Sequence, residues 1–190
     1  MNTKRLKAYK FRIYPNESQQ VQFAKTFGCV RYFRNHLVAL FNTKPEEGVK
    51  KEKEPTSTEF RKTQSWLQEI SASTLQQKQK DFKEQKQQYF SETRKSKTGR
   101  PKFTQKSGRQ SFRLPNQKFE YFRDSSKLKL EKIKGLVKVK TDRTIPLNAY
   151  FLSVTVSKEP CGEYYASILV EEGTHILSRT ECAVGVRTVI

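Results

Sequence analysis

Residues 94–113 carry the clearest chemistry in the sequence. They include eight lysines and arginines and no acidic residue. Gly99, Pro101 and Gly108 disfavour a long helix there, so we expect an extended path. Cations along an extended path suit contact with a phosphate backbone, and affinity gained by neutralising phosphates falls with salt. The candidate contacts in this segment are Lys97, Arg100, Lys102, Lys106, Arg109 and Arg113.

Two aromatic residues, Phe103 and Phe112, interrupt the same basic segment. Exposed aromatic rings can stack on bases, whereas buried rings would anchor a polar loop to the fold. We favour anchoring for both rings, because a loop this polar needs apolar contacts to hold it in place.

Further candidates lie on two elements near the N-terminus. Lys10 and Arg12 alternate with apolar residues in a strand pattern, which puts both on the outer face. Arg31, Arg34 and Asn35 lie off the apolar face of a predicted helix. These three side chains either enter a groove of DNA or form an ordinary solvated surface.

A later helix, predicted over residues 74–92, has a polar side rich in glutamine and lysine. Glutamine can read the edge of adenine through two hydrogen bonds. Glutamine-rich helix surfaces are nevertheless common, so the pattern alone slightly favours a solvated face. The candidates on this side are Gln76, Gln77 and Lys80.

The sequence contains no motif typical of catalysis or metal binding. It has no phosphate-binding glycine loop, no nucleophile elbow and no His-Glu-x-x-His motif. Cys29, Cys161 and Cys182 are far apart and form no CxxC pair, so no zinc site is expected. The acidic residues between 46 and 54 alternate with lysines, as in a solvated linker. We therefore expect no enzyme, no cofactor and no metal.

The charge balance favours a polyanionic partner. The chain has 190 residues and a formal net charge of +19, and residues 1–158 hold 36 basic and 14 acidic side chains, a net of +22. Nucleic acid is the leading candidate. An anionic membrane is second, because the basic segments lack a bulky apolar insertion face, and a solvated charged surface is the third alternative. No apolar run suits a signal peptide or membrane span, so we expect a cytoplasmic protein.

The N-terminal half reads as a strand followed by helices. A strand over 4–14 precedes two apolar helical stripes, over about 17–27 and 29–41, which Gly28 separates. The stripes indicate either a helix-turn-helix-like pair or one continuous, kinked helix. Two more helices are predicted over 56–70 and 74–92.

Beyond residue 113 the apolar period changes to two, as in strands. Short strands are expected over 119–122, 128–130 and 136–140, then a hairpin over 152–171 and a last strand at the C-terminus. The first strand most simply pairs with these later strands in one sheet or barrel. The expected class is α+β.

Four ordered blocks resemble the insertion-sequence OrfB proteins, also called TnpB, which are compact transposon-encoded relatives of type V CRISPR effectors. The blocks are KAYKFRIYPNESQQVQFAKTFGCVRYFRNHLV, SWLQEISASTLQQKQKDFKEQKQQYF, GRPKFTQKSGRQSFR and the hairpin from Leu152 to Glu171. They cover nearly the whole chain. The resemblance implies a wedge-type antiparallel barrel, built from 1–14 and 94–175, with a helical recognition lobe inserted over 15–93.

The resemblance also implies partners. In the family these parts hold the scaffold of a guide RNA and help recognise double-stranded DNA beside the target. Gln76, Gln77 and Lys80 match the helix that faces DNA, and the residues of the basic segment match nucleic-acid backbone contacts. Neither a membrane partner nor a small-molecule substrate is implied.

Residues 176–190 resemble the first strand of the family's RuvC-like nuclease domain, but they lack key residues of its motif. The family pattern there is Val-Gly-[IV]-Asp-x-Gly, but Arg187 stands at the Asp position and Val189 at the second Gly. The zinc-binding CxxC pairs are also missing. We therefore expect an N-terminal fragment without nuclease activity, from a degraded or frameshifted element. Glu131, where the family often has Pro, is a minor departure.

The function expected is nucleic-acid binding by the N-terminal half of a TnpB-like, transposition-associated protein. Three alternatives stay open at this point. One is a stand-alone helix-turn-helix DNA-binding regulator or transposase component, the second is a structural RNA-binding protein, and the third is a remnant without function.

Overall fold

The structure, a computed structural model, describes residues 2–43, 53–91 and 99–175. Within these ranges the fold is α+β, with three α-helices and seven strands. The helices are α1 (Glu17–Asn42), α2 (Ser57–Thr63) and α3 (Ala72–Phe90). The strands are β1 (Asn2–Tyr14), β2 (Gln110–Pro115), β3 (Phe119–Phe122), β4 (Lys127–Leu130), β5 (Val137–Lys140), β6 (Tyr150–Lys158) and β7 (Tyr164–His175).

All seven strands form one antiparallel sheet in the order β2-β6-β7-β1-β5-β4-β3. The first strand of the chain lies at the centre of the sheet, between β7 and β5, so its expected pairing with the later strands in one sheet is confirmed. The sheet curves into a nearly closed barrel. Phe151 of β6 packs on Phe119 and Tyr121 of β3, with both ring centroids 6.2 Å away, and these contacts link the two sides of the sheet.

Alternating apolar residues build the core beneath α1. Phe11 of β1 is buried, and its register partner Ala166 on β7 is buried beside it. Phe23 of α1 packs on Phe112 of β2 and on Tyr164 of β7, with centroid distances of 5.9 and 5.8 Å. These rings fix α1 across the sheet, which determines where its polar side chains lie.

One helix replaces the helix pair that was one of the two interpretations of residues 17–41. α1 continues through Gly28 from Glu17 to Asn42. Phe27 and Val30 on either side of the glycine are both buried. Their packing therefore offsets the roughly 1 kcal/mol by which a helical glycine is less favourable than alanine. The expected capping box of Asn16 and Gln19 is confirmed.

The helix predicted over 56–70 is shorter than expected. α2 ends at Thr63, because Gln64 adopts an extended backbone, and a 3-10 turn follows over Ser65–Glu69. Arg61 donates hydrogen bonds to the carbonyls of Leu67, Gln68 and Ile70, which stabilises this turn. The turn matters below because it carries the tryptophan.

Strand β2 was not expected, since its residues belong to the segment assigned to a basic loop. It pairs with β6, which buries Phe112 and Leu114. The last predicted strand, within residues 176–190, lies outside the described residues, as do most of the acidic residues of the 46–54 linker. No helix in the described ranges is long and apolar enough to span a membrane.

Candidate nucleic-acid interface

Asn35 and Arg34 of α1 bind the basic segment. Asn35 Nδ2 donates to the Thr104 carbonyl at 3.1 Å, and its Oδ1 accepts from the Thr104 N–H at 2.8 Å. Arg34 donates to Thr104 Oγ1 at 3.1 Å and to Gln85 Oε1 of α3 at 2.9 Å. Burial lowers the pKa of Arg34 from its ordinary value. Both side chains therefore link α1 to its neighbours, and their contact with nucleic acid stays a prediction.

Arg31 has a similar internal partner, the buried side chain of Gln110. Its Nη1 donates to Gln110 Oε1 at 2.8 Å. The Nε2 of Gln110 donates in turn to the carbonyls of Gln105, Lys106 and Gly108, at 2.8, 3.2 and 2.9 Å. One buried amide therefore organises the turn before β2. Neither Arg31 nor Gln110 can leave this network without orphaning polar groups.

The basic segment also presents exposed cations. Arg100, Lys102 and Lys106 are all exposed. The guanidinium of Arg100 also lies 5.6 Å from the ring centroid of Phe41, a cation–π contact. Lys97, the remaining candidate between 94 and 100, lies outside the described residues.

The two aromatic residues of the segment behave differently from each other. Phe112 is 2% exposed and packs on Phe27 at 5.3 Å, so its predicted anchoring role is confirmed. Phe103 is 56% exposed, so the anchoring role predicted for it is wrong. Thr104, held by α1, anchors this part of the segment through backbone hydrogen bonds. The ring of Phe103 is thus left free to meet a ligand.

Lys10 and Arg12 lie on the outer face of β1, as predicted, but acidic residues accompany them. Lys10 Nζ lies 3.8 Å from Glu159 and over the Tyr165 ring at 4.3 Å. Arg12 Nη2 lies 2.6 Å from Glu163. Both acids belong to the β6–β7 hairpin, which the sheet places directly beside β1.

Arg109 and Arg113 are also exposed and partnered. Arg109 Nε lies 3.2 Å from Glu159, and Arg113 Nη1 lies 3.9 Å from Asp81 of α3. Exposed pairs of this kind contribute little to stability, but each acid reduces the local positive potential. We refer to four of the predicted contacts as the paired cations: Lys10, Arg12, Arg109 and Arg113.

The predicted DNA-facing residues share the helix α3. Gln76 and Lys80 are both exposed, and their spacing of four residues puts them on one face. Gln77 is half-buried. A polar face of this kind can contact a groove, and nothing in the geometry reserves Gln76 or Lys80 for an internal contact.

A second basic surface lies on the β4–β5 hairpin and was not identified from the sequence. Leu128 and Val137 point into the core, and the lysines that alternate with such apolar residues point outward. The signal was available in KLKL and VKVK, because strand alternation places every second residue on one face. We call this surface the lysine face and define it as Lys127, Lys138 and Lys140.

Like charges are adjacent on the lysine face. Lys127 lies directly opposite Lys138, and Lys140 lies opposite Arg12 of β1. Like charges directly opposite each other destabilise an antiparallel pair. None of the three lysines forms an ion pair with another described residue. An anionic ligand would relieve this repulsion.

Groups suited to other chemistry are sparse in the described ranges. No cluster of three or more His, Cys, Asp or Glu side chains occurs there that could hold a metal. Burial raises the pKa of Cys29 to about 11, so this thiol stays protonated at neutral pH and is a poor nucleophile.

One family model matches the N-terminal part of the chain. Residues 1–48 match a family model described as a helix-turn-helix domain, that of the OrfB proteins of IS605 elements. In this chain the described part of that region is one strand and the single helix α1.

Two curated relatives match nearly the whole chain. A protein of Streptomyces pristinaespiralis, named as an RNA-guided DNA endonuclease, is 28% identical over 187 residues, which cover 95% of this chain and 45% of the relative. InsQ of Escherichia coli K12, named in the same way, is 27% identical over 180 residues, which cover 88% of this chain and 41% of InsQ. The chain thus spans less than half the length of these relatives. The matched domain and these two relatives together support an IS605 OrfB-type, or TnpB-type, protein.

Proposed function

We propose that this chain is the nucleic-acid-binding part of a TnpB-type protein. It binds the scaffold of a guide RNA and double-stranded DNA beside the target, and it does not cleave DNA by itself. The helical block over 15–93 acts as the recognition lobe, inserted between the first strand and the rest of the barrel.

The lysine face is the observation that carries this proposal. Lys127, Lys138 and Lys140 are close and exposed, and none of them forms an ion pair with another described residue. Arg100, Lys102 and Lys106 add exposed cations. Such side chains release counterions when they meet phosphates, which supplies affinity that does not depend on sequence. RNA of A-form geometry is recognised largely by shape and backbone, which suits this surface.

In this proposal, residues of α3 make the contacts that recognise DNA. Gln76 and Lys80 share an exposed face, where an amide can pair with a base edge and an ammonium with a phosphate. Gln77 and Lys97 complete the proposed set. The paired cations contribute less, because a phosphate must compete with Glu159, Glu163 or Asp81 for each of them.

A stand-alone helix-turn-helix regulator fits the geometry less well. Arg31, Arg34 and Asn35, the side chains expected to enter a groove, are engaged in internal hydrogen bonds. Moreover, α1 is one helix and supplies no second, recognition helix of its own.

The identity of residue 187 supports the proposal that this chain has no nuclease activity. Two-metal hydrolysis needs carboxylates around cations about 3.5–4 Å apart. Arg187 replaces the first of the family's carboxylates, and its permanent positive charge repels a metal.

Salt titration tests the binding proposal. Purified protein is titrated against the structured transcript of its own element, with fluorescence anisotropy as the readout. If six to ten phosphates are engaged, affinity falls about 10³- to 10⁵-fold between 50 and 200 mM salt. A flat titration contradicts the proposal, and tight, sequence-specific duplex binding without RNA favours the regulator instead.

A cleavage assay tests the proposal that the chain does not cleave DNA by itself. Plasmid DNA is incubated with Mg²⁺ or Mn²⁺, the transcript, and either wild-type protein or Arg187→Asp. We expect no cutting by either protein, because one carboxylate cannot hold two cations. Metal-dependent cutting that is lost on mutation of a single Asp or Glu in this chain contradicts the proposal.

A further inference from the structure

The single tryptophan of the chain lies at the surface. Trp66 is 39% exposed and sits on the 3-10 turn that follows α2. Its Nε1 donates to Gln64 Oε1 at 3.1 Å, so its polar atom already has a partner. Tyr32 of α1 lies edge-on at 5.2 Å and is itself 44% exposed. An exposed aromatic pair with its indole N–H satisfied offers ring surface that the core does not use.

A cavity of about 390 Å³ opens beside this ring. Its lining includes Trp66, Gly28, Cys29 and the rim residues Lys25 and Glu69. The carboxylate of Glu69 lies 2.6 Å from the ammonium of Lys25, so the rim presents both a donor group and an acceptor group. This volume is in the range of small-ligand sites.

Gly28 has no packing role within the described structure. Apart from its chain neighbours and the surrounding helix backbone, no heavy atom lies within 4 Å of the position that its Cβ would occupy, and its φ is not positive. Glycine within a helix costs about 1 kcal/mol relative to alanine. The packing of Phe27 and Val30 offsets this cost, but the glycine itself relieves no close contact, and its one evident effect is to leave the cavity beside Trp66 wider.

Unpaired cations border the adjoining surface. A second cavity of about 410 Å³ shares Lys25 and Glu69 with the first and is also lined by Lys132 and Lys134. Both of these lysines are exposed, and neither forms an ion pair with another described residue. A flat aromatic surface next to exposed ammonium groups is complementary to a base and the phosphates that flank it.

We propose that an unstacked nucleobase from a single-stranded segment stacks on Trp66 in the cavity beside Gly28. The phosphates on either side of that base lie over Lys132 and Lys134. The inference rests on the proposed nucleic-acid-binding function and adds to it a site for a single-stranded segment. A neutral aromatic peptide suits the rings but brings no negative charge to the two lysines.

The tryptophan supplies its own assay, because fluorescence from the only indole in the chain reports on this site alone. The full chain is titrated with oligoadenylate RNA, with the matching oligodeoxyadenylate and with a blunt duplex. Labelled strands give the affinity by anisotropy in parallel. We expect at least one single strand to quench Trp66 with the same midpoint as its anisotropy, and the duplex to bind without quenching. The arm that quenches identifies the source of the base as RNA or DNA.

The variant Gly28→Ala is expected to change ligand affinity and thermal stability in opposite directions. The added methyl group raises the melting temperature through helix propensity, but it occupies the cavity, so quenching and single-strand affinity fall. Trp66→Leu lowers single-strand affinity on the order of ten-fold to a hundred-fold. Tyr150→Leu, which removes an exposed ring on β6, is the matched control and leaves the affinity unchanged.

The outcomes distinguish this site from the wider proposal. Anisotropy binding without a tryptophan response, or equal quenching by duplex, overturns the site and leaves nucleic-acid binding intact. An affinity that Gly28→Ala does not lower, or quenching by a neutral aromatic peptide alone, also overturns it. If neither the structured transcript nor any oligonucleotide binds, the proposed function fails and the site fails with it.

Discussion

The two basic regions of the sheet's outer surface differ in their access to acids. The paired cations, on β1, on β2 and just before β2, lie beside β6–β7 and α3, where Glu159, Glu163 and Asp81 contact them. The lysine face lies on the other side of β1, and its lysines form no ion pair among the described residues; the nearby acids Asp142 and Glu131 pair with Arg143 and Lys118 instead. A lysine or arginine of the paired cations therefore presents a weaker positive potential to a ligand than a lysine of the lysine face, although each carries the same formal charge.

This difference corrects one inference from the charge count. Residues from Glu159 onward hold two basic and five acidic side chains, so the count assigned a net charge of +22 to residues 1–158. Because β7 pairs with β1 along twelve residue pairs, the acids of that hairpin reach the N-terminal strand instead. Net charge over a sequence window thus overstates the charge that remains available after folding.

Neutralising the lysine face has the largest expected effect on binding. Changing Lys127, Lys138 and Lys140 to Gln removes about three phosphate contacts, so the slope of log affinity against log salt falls by about three. The matched control changes Lys4, Lys10 and Arg12 to Gln, each of which has an acidic partner. Salt titrations by anisotropy compare the two proteins. Equal losses contradict the distinction between the two regions.

A third group of polar residues, which includes Asn35, stabilises the fold through internal hydrogen bonds. Removing one of these side chains is therefore expected to lower the free energy of unfolding. Asn35→Ala leaves the backbone N–H and carbonyl of Thr104 without their partner, which costs about 1–3 kcal/mol of unfolding free energy. Chemical denaturation measures this change. Gln76→Ala, on the exposed face of α3, is the control and leaves stability unchanged. An Asn35 variant with native stability but reduced nucleic-acid affinity contradicts the structural role.

Removing the acid that pairs with two of the paired cations tests the same difference between the two basic regions. Glu159→Gln releases both Lys10 and Arg109, so affinity for RNA rises several-fold and the salt slope steepens by up to about two. Glu84→Gln on α3 makes the same change in net charge without releasing an ion pair from the outer face. The same anisotropy titration serves both variants. If both raise affinity equally, only net charge matters.

The smallest expected effect concerns Glu131, an acid near the lysine face that is occupied internally. Burial raises the pKa of Glu131, but hydrogen bonds from Lys118 and Ser71 outweigh it and hold this pKa below the ordinary 4.5. The stabilisation is therefore fully present above that value and is lost as pH falls through the lower, folded-state pKa.

The comparison of wild type with Glu131→Gln checks this sign. We expect the wild type to be modestly more stable near neutral pH and the two proteins to converge in acid. Unfolding midpoints measured across the acid range give the difference. A difference that grows as pH falls contradicts the assignment.

Local sequence predicted much of the fold. Alternation in β1, β4, β5 and the β6–β7 hairpin, and the capping box at Asn16, depend on neighbours within a few residues, and all are confirmed. β2 was missed because six residues within a basic segment give a weak signal. Its partner β6 supplies the hydrogen bonds that make it a strand.

The candidate site was less predictable, because a side chain's partners come from distant segments. The sequence placed Arg31, Arg34 and Asn35 on the polar side of a helix, which is correct. It did not indicate that Gln110 and Thr104, about seventy to eighty residues away, occupy their hydrogen bonds.

By itself the sequence determined the strand and helix patterns, the excess of cations and the family resemblance, since these depend on residue types and short spacings. Only the tertiary structure decided which cations are free. An ion pair forms where two charges lie within a few ångströms, and the sheet order sets those distances. The placement of β7 beside β1 neutralises one row of cations, and the β4–β5 hairpin leaves the other exposed.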